Sequence, residues 1–398
     1  MGNFWTLVRF ELKKILGKKI TWIAFGLVLS TMLAMGIYRI VVTHEVDGVR
    51  MSVWEEDMLE KTKQKEIVGR AVDDKLLENM FTAMATSEEA FEPYKYLYNE
   101  LVLELVGDGL STGTVEGAKK SLGIAKEEEL IYAVRRMRIE ENMEMQYLTE
   151  GEKEYWRKVL DKDTTPWAYD YYQGAQFVWV GVYTAIVLIA IMLAVCLANL
   201  FAEEHQKRTD QLVLCSRNGK KVLYWAKITA GMLFTMISTA IILLATAMPQ
   251  LFAFGVDGLH APIQLIVPAS AVQMSFGEII LYVYLVAIVA AFLYCSIILC
   301  CSELFRNSTV AVVAIIVILV LIPMMIVIPY EYRVLAQIFE LNPINVLALW
   351  STLDYRLVPI GGGYLTVYQV APVLYTVLIV VFLWVGRRAY LNYQVKGR

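Results

Sequence analysis

Three histidines, five cysteines and a handful of carboxylates in apolar surroundings are the side chains from which this 398-residue chain would have to build catalysis or a metal site. His44, His205 and His260 are far apart, and neither H-E-x-x-H nor G-x-S-x-G occurs, so hydrolytic chemistry has no framework. Of the cysteines Cys196, Cys215, Cys295, Cys300 and Cys301, none lies in residues 43–172, and Cys295, Cys300 and Cys301 share one apolar run, where small buried hydrophobes are expected rather than redox or metal chemistry. Phosphate binding by a P-loop needs two glycines bracketing four residues, then Lys and Ser or Thr. Gly17-Lys18 and Gly219-Lys220 come close, but Leu12 and Leu214 replace the first glycine, and Lys19 and Lys221 replace the hydroxyl residue. No ATP chemistry by that route is expected here, and no cofactor.

The polar chemistry gathers instead in one island, residues 201–227, between two long apolar runs. Leu212, Val213, Ser216, Val222 and Leu223 alternate with Arg208, Arg217, Lys220 and Lys221 at near-helical spacing, which predicts a short amphipathic helix at a membrane surface. The plainer reading is a solvated basic loop that anchors its flanking helices.

The rest of the chain must position that island. Hydrophobic residues make up 58% of the sequence and mean hydropathy is +0.52, which excludes a soluble protein. Runs over 20–42, 175–200, 228–254, 279–301, 309–329 and 368–385 reach the ~20 residues needed to cross the hydrocarbon of a bilayer. Ahead of the first, Trp5, Val8, Leu12, Ile15 and Leu16 share a helical face while Arg9, Lys13, Lys14, Lys18 and Lys19 lie elsewhere, predicting an interfacial helix over 1–19 facing anionic lipid. Arg39, about a turn from the end of the first run, is placed to snorkel.

Charge is segregated. Residues 43–172 hold 29 acidic and 17 basic side chains, a net of −12, against +9 for the remainder. This insert predicts a small α-helical domain with helices near 52–85, 88–105, 114–122, 126–147 and 149–160, the last opened by a Thr149/Glu152 capping box. Its charge clusters, Glu127 to Glu129 and Arg135, Arg136 and Arg138, are expected on solvated faces. The aromatics Trp156, Trp167, Tyr169, Tyr171, Tyr172, Phe177 and Trp179 are expected to form an interfacial belt. Residues 330–366, carrying Asn342-Pro343 and Gly361-Gly-Gly363, are too broken to span and apolar enough to dip into the membrane edge. With six spans, the N-terminal segment, the 201–227 island, the turn at Arg306 and the tail 386–398 are basic and share one side, so both termini are expected in the cytoplasm and the acidic insert outside. Ion-coupled transport is disfavoured because Glu203, Glu278 and Glu303 sit at span ends and the span interiors are nearly free of charge.

An all-α membrane protein with an amphipathic elbow helix, six spans, both ends inside and a basic helix between spans two and three resembles the permease subunit of a bacterial ABC-2-type exporter. The family's local pattern of an acidic residue, Gly-Thr, Leu-x-x-Leu, Ser-Arg and a downstream Lys is similar to Glu203 or Glu204, Thr209, Leu212, Ser216-Arg217 and Lys227, with Arg208 departing from it where Gly usually stands. The resemblance implies a coupling helix within 201–227 gripped by two ABC ATPase subunits that bind ATP and Mg, with Glu203, Glu204, Arg208, Thr209, Leu212, Ser216, Arg217, Lys220 and Lys221 at the contact. It further implies a second permease chain, identical or homologous, a multi-pass place in the bacterial plasma membrane and a role for lipid but not for nucleic acid. The cargo it implies is amphipathic or hydrophobic: a peptide, an antibiotic or a lipid-like molecule. The alternative is a receptor or assembly protein that senses a ligand through residues 43–172 and needs no ATPase.

Overall fold

The computed structural model describes residues 2–46, 48–107, 113–207 and 220–392, and among them six helices are long and apolar enough to cross a membrane. They are Lys19–Val41, Gln173–Gln206, Lys221–Phe254, Phe276–Phe305, Ser308–Met325 and Val367–Asn392, called here the first to sixth spans. Their roles differ. The apolar stretch of the second is 72% buried and that of the sixth only 17%; the second, third and fourth form the packed centre, while the first, fifth and sixth leave broad faces open. Close approach rests on small residues. A Cβ on Gly181 would stand 2.6 Å from Thr246 Cγ2, and one on Gly36 would stand 2.5 Å from Pro249 Cβ, so the third span presses on the second and first at points where only glycine fits.

Several element ends differ from the sequence expectations. The second span continues past 200 to Gln206 after a one-residue break at Ala198, and the third begins at Lys221 rather than 228, so both flanks of the 201–227 island are helical extensions of spans. Residues 208–219 lie outside the described residues. The fifth span contains a π turn, Val317–Leu321, and leaves helical geometry after Met325 beside Pro323, short of 329. The sixth runs to Asn392, which puts Arg387 and Arg388 on a helix rather than in a tail.

The N-terminal helix, Gly2–Leu16, lies against the third span. Its apolar Val8 and Ile15 are buried, but so is Glu11, which amphipathicity alone would not place there.

The acidic insert opens with an antiparallel hairpin, Thr43–Val46 with Val49–Ser52, in which Thr43 faces Ser52. A helix expected over 52–85 is two, Val53–Gln64 and Asp74–Thr86. Gly69, at φ +80°, turns the chain between them, and the backbone there pairs with the far end of the insert: Gly69 N donates to Tyr169 O, Tyr169 N to Arg70 O and Val72 N to Trp167 O. Helices Val115–Leu122, Leu130–Met145 and Glu150–Leu160 follow, whereas 88–106 is a chain of short α, 3₁₀ and π turns. The Thr149/Glu152 capping box is present.

The aromatic cluster is not a lipid-facing belt. Trp156, Trp167, Tyr169, Tyr171, Tyr172 and Trp179 are all buried, and Tyr172 stacks on Phe276 at the start of the fourth span with ring centres 5.5 Å apart. These rings form the joint between insert and bundle, where edge-to-face and stacked pairs add to simple burial. Residues 333–365 supply the rest of the seat through helices Arg333–Glu340 and Pro343–Val346 and a hairpin, Val358–Ile360 with Gly363–Leu365.

Candidate functional site

The ionisable side chains that sequence reasoning could only scatter are gathered where the N-terminal helix, the end of the second span and the start of the third meet. Lys227 is fully buried, and its ammonium donates to Leu200 O and Glu204 Oε1, both at 2.7 Å, with Glu11 Oε2 3.5 Å away. Lys14 bridges the same two carboxylates, 2.8 Å from Glu11 and 3.4 Å from Glu204. Burial works against the Lys14 ammonium, but Glu11 and Glu204 outweigh it and hold its pKa above the ordinary lysine value. Glu203 turns the other way, to Lys18 at 2.5 Å and to Lys207 at 2.6 Å. Two lysines of the first nineteen residues are thereby locked to the two acidic residues at the end of the second span.

A second set of contacts holds the break at Ala198. The Ser302 hydroxyl, from the fourth span, accepts from the N–H groups of Phe201 and Ala202, each at 3.1 Å, and donates to Ala198 O at 2.6 Å. One turn on, half-buried His205 lies 3.2 Å from buried Glu303. A helix interruption exposes backbone donors and acceptors that apolar surroundings cannot satisfy, and Ser302 and Lys227 meet that need from neighbouring helices. Beside the cluster, a groove of about 530 Å³ opens between Phe10, Lys13 and Gly17 on one wall and Cys196 and Asn199 on the other.

Of the residues singled out from the sequence, Glu203 and Glu204 are in this network, and Lys220 and Lys221 are exposed at the start of the third span beside it. Arg208, Thr209, Leu212, Ser216 and Arg217 lie outside the described residues. Glu11 and Ser302 were not foreseen. Glu11 is the sole acid of the Gly2–Leu16 helix, an oddity on an otherwise basic helix that could have marked it as a partner for a buried cation.

At the opposite end of the bundle the insert is bolted to three segments. Arg135, expected on a solvated face, is buried: it donates to Pro268 O at 2.9 Å and Ser270 O at 2.8 Å and pairs with Asp163 at 2.9 Å. Buried Glu152 pairs with Arg333 and accepts from Leu357 N at 2.9 Å; burial opposes its charge, but these donors and Thr149 keep its pKa below the usual carboxylate range. Trp156 Nε1 donates to Tyr355 O, and Trp54 Nε1 to Ala253 O, both at 2.6 Å. Among the described residues, no three His, Cys, Asp or Glu side chains are grouped closely enough to hold a metal ion.

A family model described as "ABC-2 family transporter protein" matches residues 73–386, most of the chain. No curated protein and no solved structure matches it.

Proposed function

The chain belongs to the ABC-2 family of transporter proteins, and from that premise we propose that it is the permease of an exporter whose ATP is hydrolysed by separate subunits. In this reading two ATPase subunits engage residues 202–227 from the cytoplasm, two such six-span chains enclose the pathway, and an amphipathic or hydrophobic cargo leaves on the side of the 43–172 insert. The observation that carries it is the ion-paired cluster. Because Glu204 and Lys227 flank residues 208–219 on either side and are tied to Glu11 and Lys14, force applied to that connection is delivered at once to the N-terminal helix and to the second and third spans. Ser302 extends the linkage to the fourth. The open faces of the first, fifth and sixth spans support a second permease chain.

Arg208, Arg217, Lys220 and Lys221 would pair with carboxylates on the ATPase, an electrostatic fit that governs recognition more than raw affinity. The test is reconstitution with the ATPase that co-purifies from native membranes. Replacing Arg217→Glu together with Lys220→Glu should abolish complex formation and permease-stimulated ATP hydrolysis. If both survive, the coupling assignment fails. Labelling introduced cysteines on intact cells with an impermeant reagent checks sidedness: position 113 should react and position 220 should not.

A further inference from the structure

Where the first three spans meet beneath the insert, Arg39, Phe177 and Gln250 line a cavity of about 100 Å³ that opens sideways between exposed Met35 and Val180. The Arg39 guanidinium lies over the Phe177 ring, its carbon 3.4 Å from the ring centre. Its nearest counter-ion, Asp57 Oδ2, is 3.8 Å away, beyond hydrogen-bond reach, and has no hydrogen-bond partner. Gln250 is buried, and its Oε1 also has no donor. A buried acceptor without a donor is costly, so Gln250 Oε1, on the cavity wall with Arg39, calls for an N–H donor.

The group that completes this site offers an anion to Arg39 and an N–H donor to Gln250. We infer that this cavity is a binding site for a phospholipid headgroup with a phosphate and a primary ammonium, as in phosphatidylethanolamine. The phosphate pairs with Arg39 and the ammonium donates to Gln250 Oε1. The enclosed volume, about three waters' share of liquid, takes the ammonium end, and the phosphate sits at the open side beside Arg39. The apolar rim at Met35 and Val180 and the position of Arg39, two residues from the end of the first span, place the acyl chains along the lipid-facing surface and the headgroup at interfacial depth. A quaternary choline has no N–H and cannot satisfy Gln250. The inference needs only a membrane-embedded chain and is independent of transport direction and cargo.

The experiment is native mass spectrometry of the full-length protein in detergent, titrated separately with phosphatidylethanolamine, phosphatidylcholine and soluble phosphoethanolamine. The wild type should retain the ethanolamine lipid roughly tenfold better than the choline lipid, Gln250→Leu should bring the two together, and Arg39→Gln should weaken both by a similar factor. Gln250→Leu carries the test if Arg39→Gln does not fold, since it leaves the ion pair intact. Equal retention of the two lipids by the wild type, or no effect of Gln250→Leu, overturns the inference. Phosphoethanolamine competing as well as the lipid would make the cavity a soluble-ion pocket and overturn it equally.

Discussion

Replacing Lys227 with methionine tests the central cluster most directly, because methionine keeps most of the side-chain volume and removes the charge, with its cation–π contact over the Phe201 ring at 5.1 Å. Two hydrogen bonds at 2.7 Å are lost, one to a carboxylate and one to Leu200 O. Glu11, 1% exposed, and Glu204, 13% exposed, lose this cation and keep Lys14 close by. Stranding a buried charge costs ~3–5 kcal/mol, and the surviving Lys14 together with the partial exposure of Glu204 puts the expected loss at the lower end, about 3 kcal/mol. Adding Glu204→Gln removes one stranded charge, so the double variant should recover part of the loss, with a coupling energy of about 2 kcal/mol between the two positions. Denaturant titration of the purified chain in detergent, across wild type, both single variants and the double, measures each quantity. A Lys227→Met protein within about 0.5 kcal/mol of wild type, or strict additivity of the two substitutions, would refute the claim that this ion pair joins the second and third spans.

Arg135→Gln should cost about 3 kcal/mol, because one buried cation holds two carbonyls of the 255–275 connection and Asp163 at once; hydrogen exchange should rise first in that connection and in Leu130–Met145. Gly258→Ala should lower folded yield sharply, by roughly 2 kcal/mol or more, because φ is +75° there and a Cβ would collide with the Tyr171 carbonyl; thermal unfolding in detergent reads the loss. Asp57 sets a pH dependence. Burial, opposed by Arg39 and reinforced by Glu60 and Glu56, pushes its pKa up to about 6 from an ordinary 3.8. The native state therefore holds more protons than the unfolded chain between these values, and stability falls as pH rises through that window. Asp57→Asn should flatten this part of the stability profile and raise stability at pH 7.5 by the order of 2 kcal/mol; an unchanged profile would contradict the assignment.

The six spans were legible because their signal is local: ~20 apolar residues with few charges announce themselves whatever they pack against. What could not be read was pairing at a distance. Nothing near Glu204 indicates that Lys14, 190 positions away, is its partner, or that Lys227 will be wholly buried rather than open span three at the surface. Glu203 and Glu204, expected at the contact with another subunit, also close ion pairs within this chain. The same limit explains the aromatic run from Trp156 to Trp179. Aromatics at a membrane boundary fit a lipid belt and a domain joint equally well, and only the stacking of Tyr172 on Phe276 separates the two. Arg135 was misjudged because neighbouring arginines on a polar helix look interchangeable, although one of them points at carbonyls of a loop 133 residues on. The broken helix at 64–74 depends on strand-like pairing with residues 167–169, a contact no window of local periodicity can register.

The interruption at Ala198 has a mechanical corollary. Where a helix is continuous, its resistance to bending is a property of the main chain and hardly changes with side-chain identity. Here a serine hydroxyl and a lysine ammonium from other helices stand in the gap, so the compliance of this joint is encoded in two ordinary codons. Alanine, threonine or arginine at those positions would loosen or stiffen the terminal lever without redrawing the backbone. How far a displacement at this end carries into the bundle is therefore open to adjustment by single substitutions.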